Sequence, residues 1–169
     1  MNYHKIEYDN MLNGEGLRAV LYVAGCTHHC KGCQNPQTWD INSGKKFTDD
    51  DFNEISAYMY NDYVSGLTLS GGDPLCMNNF KTVRHICQTF KARHGSRGKT
   101  IWLYTGYTIE QILNNEILRS ILEFVDILVD GKYVEELADR DYHWAGSTNQ
   151  RIIDVKKTLE QKKVVLYED

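Results

Sequence analysis

Proline occurs only twice in 169 residues, and no stretch rich in proline, glycine and serine interrupts the chain. With no linker to divide it, a single domain over 1–169 is expected. Long hydrophobic runs are lacking too. Nothing approaches the ~18 apolar residues of a membrane span, and the opening "MNYHKIEYDN" has no signal-peptide apolar core. A cytoplasmic protein that does not engage a membrane is expected. Basic residues are outnumbered, 19 Lys and Arg against 23 Asp and Glu, for a net charge of -4 and a pI near 5.9. That balance disfavours a nucleic-acid surface. Cysteine is sparse and odd in number, at five residues. A chain kept in a reducing compartment, with an odd count, does not read as a disulfide framework.

Three of the five cysteines, however, fall within nine positions, Gly25 to Cys33, "GCTHHCKGC". The spacing C-x3-C-x2-C, at Cys26, Cys30 and Cys33, offers three soft thiolates, the ligand type of zinc and of iron–sulfur clusters. Zinc would need a fourth ligand, which His28 or His29 could supply. Against zinc, the spacing is wider than the usual C-x2-C pair, and no second half-site follows. A cluster held by four cysteines would draw on Cys76 or Cys87. Cys87 falls on an apolar helical stripe, and Cys76 stands just beyond a Gly-Gly-Asp turn. With three cysteines only, one iron of a cubane has no protein ligand and can bind a small molecule.

Hydrophobic patterning gives the fold. "AVLYVAG" (19–25), "GLTLSGGDP" (66–74), "TIWLYTG" (100–106) and "VDILVDGK" (125–132) read as strands, and "KVVLYED" as a short terminal one. Between them, Thr48 caps a helix carrying Phe52, Ile55 and Met59. Phe80, Val83, Ile86, Cys87 and Phe90 form one apolar stripe, and "TIEQ", Thr108 to Gln111, opens a helix through about Phe124. Alternation of strand and helix predicts an α/β fold with mostly parallel strands, an open or incomplete (β/α) barrel. The cysteine loop, Gly71-Gly72-Asp73-Pro74, Thr105-Gly106 and Asp130-Gly131-Lys132 each follow a predicted strand. That rim is where ligands bind in parallel α/β folds. The basic run "KARHGSRGK" (91–99) reads as a solvated helix end and loop.

C-x3-C-x2-C after the first such strand, with a Gly-Gly-acidic turn after a later one, resembles the radical S-adenosylmethionine (SAM) superfamily. "NGEGLR", "CQNPQTWD", "LSGGDPL", "YTGY", "VDGK" and "GSTNQRIID" resemble the activating enzymes of anaerobic ribonucleoside-triphosphate reductase, from about Asn13 to Asp154. The resemblance implies an incomplete barrel of the radical SAM type. It implies that Cys26, Cys30 and Cys33 hold a [4Fe-4S] cluster whose open iron chelates SAM, while His28 and His29 are ordinary loop residues. One electron would split SAM into methionine and a 5'-deoxyadenosyl radical, which would take a hydrogen atom from a glycine of the reductase. No catalytic side chain beyond cluster and SAM is implied.

Further roles are implied in the same way. Gly71, Gly72 and Asp73 would meet the SAM ammonium group, and Gly32, Cys33 and Gln34 the adenine side. Asp73 stands where the family often has glutamate, so backbone carbonyls could supply the reach. Asp130 and Lys132 match a D-x-K pattern of pyruvate formate-lyase activating enzyme, which serves a monovalent cation and the SAM carboxylate. Thr105 matches its cation-site threonine, but Tyr104 replaces its aspartate. The implied partners are the reductase and a low-potential electron donor such as flavodoxin or ferredoxin. Activation of pyruvate formate-lyase is the nearer alternative, and a zinc-stabilised binding module without catalysis the distant one.

Overall fold

A computed structural model describes residues 1–168. Strands β1 (Asn2–Asn10) and β2 (Leu17–Val23) pair antiparallel, and the two-residue β3 (Lys45–Lys46) pairs with the other edge of β1. Next to β2 lie β4 (Val64–Gly71), β5 (Thr100–Tyr104) and β6 (Ile127–Asp130), all parallel, and β7 (Arg151–Asp154) pairs antiparallel with β6. The sheet order is β3-β1-β2-β4-β5-β6-β7, open, with β3 and β7 at its edges. The expected parallel strands form its centre, while three antiparallel pairs make the flanks.

Between the parallel strands come α1 (Asp49–Tyr58), α2 (Met77–His94) and the short pair α3 (Ile109–Leu113) and α4 (Glu116–Arg119), with α5 (Val155–Gln161) after β7. Parallel neighbours that follow sequence order, joined by right-handed crossovers, carry their connecting helices on one face. The side chains agree. Ala19, Leu21 and Val23 of β2, Leu67 and Leu69 of β4, and Ile101 and Leu103 of β5 pack with the apolar faces of α1 and α2. Their alternate neighbours, Arg18, Tyr22, Thr68, Ser70, Trp102 and Tyr104, stand on the opposite face by the two-residue period of a strand. That second face is polar and aromatic, as a ligand-bearing surface requires.

Thr48 caps α1 in a reciprocal box with Asp51, and three aspartates occupy the first turn, where the helix dipole favours them. In α2 the expected stripe is buried, Cys87 included. The third expected helix is broken. Asn115 accepts hydrogen bonds from the amides of Ile117 and Leu118, so it starts a new helix, and α3 ends at Leu113. The terminal segment, described through Glu168, makes a single bridge, Ile153 to Leu166, instead of a strand. Strand β1, antiparallel and only partly buried, had no continuous apolar run to announce it.

The basic run is tied down within the chain. Lys91 pairs with Asp126 at 2.6 Å, Lys99 donates to the carbonyls of Asn61 and Val64, and Arg97 lies over the Tyr60 ring. Inside this region His94 is buried and bonded to the Ser56 hydroxyl at 2.7 Å, with Tyr60 and Phe90 against its ring. Burial, followed by the charges of Arg93, Arg97 and Lys99, lowers its pKa below 6.5. The imidazole is therefore neutral in the fold, and the unfolded chain takes up the proton first. The stability it contributes is present above pH 6.5 and declines as pH falls below that value. Thermal melts from about pH 7.5 to about pH 5.5 should show a steeper loss of Tm in the parent chain than in His94→Gln; parallel curves would contradict this.

Candidate cluster and cofactor site

After β2 the chain leaves the sheet through Gly25, whose φ of 100° excludes most side chains. The Gly25 amide donates to Thr38 O at 2.7 Å and the Cys26 amide to Trp39 O at 3.1 Å, which roots the cysteine loop at both ends. Within it the Cys33 amide donates to Cys30 O, and the Asn35 amide donates to Cys33 Sγ at 3.4 Å. Cys26, Cys30 and Cys33 all line one cavity of about 880 Å³ over the carboxyl ends of the parallel strands. Burial pushes the Cys26 thiol up, so metal loading there has to displace a bound proton. Cys76 and Cys87 are buried and do not line the cavity.

Strand β4 delivers the second segment. The Gly72 amide donates to Val23 O and the Asp73 amide to Gly25 O, each at 2.8 Å. A Cβ on Gly72 would stand 2.5 Å from Gly25 O, and one on Gly71 2.7 Å from the Tyr22–Val23 backbone. Glycine is needed at both positions because two backbones touch. Asn79 in α2 locks the crossing, donating to Ala24 O at 2.7 Å and Asp73 O at 3.2 Å. Gly71, Gly72, Asp73, Thr105 and Gln34 line the cavity.

Other predicted residues are placed differently. Asp130 is buried, and its carboxylate accepts from Arg151 at 2.6 and 3.0 Å and from the Ile109 amide at 2.7 Å. Arg151 in turn holds Glu110 at 2.8 Å, and this contact keeps the Glu110 carboxyl at about 2. Of the Asp130-Gly131-Lys132 segment only Gly131 reaches the cavity, and Lys132 is exposed. Gly32, with φ 70°, packs against Glu135, whose carboxylate would meet a Cβ at 2.6 Å. Tyr104 donates to Trp144 O at 2.7 Å, which ties the 138–146 segment across the cavity.

Both loop histidines reach neighbours outside the loop. His28 Nε2 lies 2.5 Å from Asp73 Oδ2, and the His29 ring stacks on Trp39 with centroids 4.7 Å apart. Trp39 thus packs on the loop, and its own Nε1 is buried without a hydrogen-bond partner. A donor in want of an acceptor beside three thiols suits a sulfide-bearing cluster, whose sulfurs accept hydrogen bonds. Among the described residues no three His, Cys, Asp or Glu side chains are gathered as for a single metal ion, whereas the three thiols line a cavity with room for a larger cluster.

Comparison with known proteins bears on this fit. A family model described as "4Fe-4S single cluster domain" matches residues 12–153. The anaerobic ribonucleoside-triphosphate reductase-activating protein of Enterobacteria phage T4 is 41% identical over 152 residues, covering 90% of this chain and 93% of that protein. This chain belongs to that family. The activating proteins of Vibrio cholerae, 40% identical over 154 residues (90% and 97% coverage), and of Escherichia coli K12, 38% over 152 residues (89% and 96%), are similar over the same extent. The family resemblance drawn from the motifs is therefore borne out.

Sequence reasoning missed the ties between segments. His28 could be seen between two cysteines, but its partner lies 45 positions away. Arg151 sat in a quoted motif without a role, and Asn79 gave no local signal.

Proposed function

We propose that this chain is the radical SAM activating enzyme of an anaerobic ribonucleoside-triphosphate reductase, acting in the cytoplasm as a single domain. The observation that carries the reading is the convergence of exactly the three motif cysteines and the Gly71-Gly72 turn on one cavity, from which Cys76 and Cys87 are withheld. When bound, a [4Fe-4S] cluster with SAM supplies one electron for reductive cleavage of the sulfonium, and hence the carbon radical that takes a hydrogen atom from glycine.

The chain's own part is to bind, orient and shield. Cys26, Cys30 and Cys33 would hold the cluster, and Gly71 and Gly72 would present close backbone to the SAM ammonium. Gln34, which lines the cavity, would meet the adenine side. Tyr104, Trp144 and Trp39 line the cavity with apolar rings that limit water near a radical. The open sheet, with its helices on one face, is read as the incomplete radical SAM barrel, its free side admitting a glycine-bearing loop of the reductase. A low-potential donor such as flavodoxin or ferredoxin would reduce the cluster. No helix among the described residues is long and apolar enough to cross a membrane. The monovalent cation is left out, because Arg151 already neutralises Asp130.

The test is anaerobic incubation of the reconstituted chain with SAM, a low-potential reductant and either the reductase or pyruvate formate-lyase. A glycyl-radical signal by electron paramagnetic resonance (EPR) is expected with the reductase only. A signal only with pyruvate formate-lyase would overturn the assignment.

A further inference from the structure

Asp73 is the acidic residue expected at the SAM ammonium, yet its carboxylate is directed into the protein. It is 1% exposed. Oδ1 accepts from the Leu75 amide at 2.7 Å and Oδ2 from the Gly106 amide at 3.2 Å, while the Thr105 hydroxyl lies 3.0 Å from both oxygens. The fourth partner is His28, 2.5 Å away and part of the loop between the first two cysteines. An ionised carboxylate offers about four acceptor positions. All are taken.

The histidine is held just as closely. Its side chain is 9% exposed. The Tyr107 ring meets it edge-on at 4.7 Å, and a Cβ on Gly106 would stand 2.4 Å from its Cδ2, so only glycine at 106 admits the ring. One contact thus joins three rim segments: the cysteine loop, the turn after β4 and the turn after β5.

We infer that His28 is a positioning residue, which with Asp73 as its anchor fixes the distance between the cysteine loop and the Gly71-Gly72 turn. Asp73 then acts on SAM through this loop and not by touching it. The inference rests on the reading of the site as a SAM–cluster pocket. Removing the imidazole should leave the thiols able to hold the cluster but misplace the open iron relative to the turn that orients SAM. Misplacement of this kind is costly because productive geometry tolerates little error.

The test uses reconstituted parent chain, His28→Ala and His28→Gln. Glutamine keeps an N–H donor able to reach Asp73. Iron and sulfide content, SAM affinity by equilibrium dialysis, and the change that SAM causes in the EPR spectrum of the reduced cluster are measured for each. His28→Ala should hold iron and sulfide at the parent ratio, bind SAM about tenfold or more weakly and lose most of the SAM-induced spectral change. His28→Gln should recover most of both. Parent-like SAM binding and spectra in His28→Ala would overturn the inference. So would loss of the cluster from both variants, or a glutamine variant no better than alanine. A parent chain whose cluster ignores SAM would instead contradict the proposed function, and this inference would fall with it.

Discussion

Single replacement of Cys26, Cys30 or Cys33 by alanine is expected to abolish stoichiometric cluster loading and reduce SAM cleavage to background, while Cys76→Ala and Cys87→Ala keep both. The contrast follows from placement. The first three thiols face the cavity, whereas Cys87 is 0% exposed, packed among Val83, Ile86 and Phe90, with its thiol pushed up to about 12 by burial. Such a thiol yields no thiolate for iron at neutral pH. Removing it deletes one small buried group, a cost of about 1 kcal/mol. Cys76 is buried at the start of α2 and its side chain caps nothing. Iron and sulfide analysis of the five variants, with visible absorption, checks the pattern. Cluster loss in the Cys76 or Cys87 variant, with the fold intact, would contradict it.

The second large effect lies away from the thiols. Arg151→Met leaves Asp130, 1% exposed, as a buried carboxylate whose cation is gone. Breaking such a pair from one side costs about 3–5 kcal/mol, or about 10 °C in Tm for a domain of this size. The double variant Arg151→Met with Asp130→Asn should be more stable than Arg151→Met alone, because no charge remains stranded. The parent should also lose stability as pH falls from 4.5 towards about 2, the range in which the unfolded chain's Glu110 binds a proton and the folded chain's does not. That acid dependence should flatten in Arg151→Met. Calorimetric melts of these three chains at neutral pH, and of the parent and Arg151→Met across that range, decide the matter. A Tm within a degree or two of the parent's for Arg151→Met would show that the pair does not hold β7 and α3 to the end of β6.

Much of the architecture was legible because buried strands and amphipathic helices write themselves in local periodicity. Val20 to Val23, Ile101 to Leu103 and Ile127 to Val129 lie in parallel strands at the sheet centre and read as apolar runs. Strand β1, next to the sheet edge, alternates too weakly to be seen, and Asn115 broke a helix that apolar spacing alone would have continued. The site divides along the same line. Thiol spacing and paired glycines are local and were visible. By contrast, the partners of Asp73 and Asp130 are set by which strand lies next to which. The sheet order brings Thr105 to Asp73 and Arg151 to Asp130, and no window of sequence contains either pair. Arg18 makes the same point. It is fully buried, yet it is satisfied by the hydroxyls of Thr68 and Thr100 and by the carbonyls of Glu15, Leu67 and Thr100, drawn from two neighbouring strands and the loop before β2.

The most direct measurement is Mössbauer spectroscopy of the chain reconstituted with iron-57 and sulfide, before and after SAM is added. If three thiolates hold the cluster and one corner is left for SAM, a single iron site should change its spectrum on SAM binding while the others stay as they were. A spectrum in which every iron is indifferent to SAM would contradict the account.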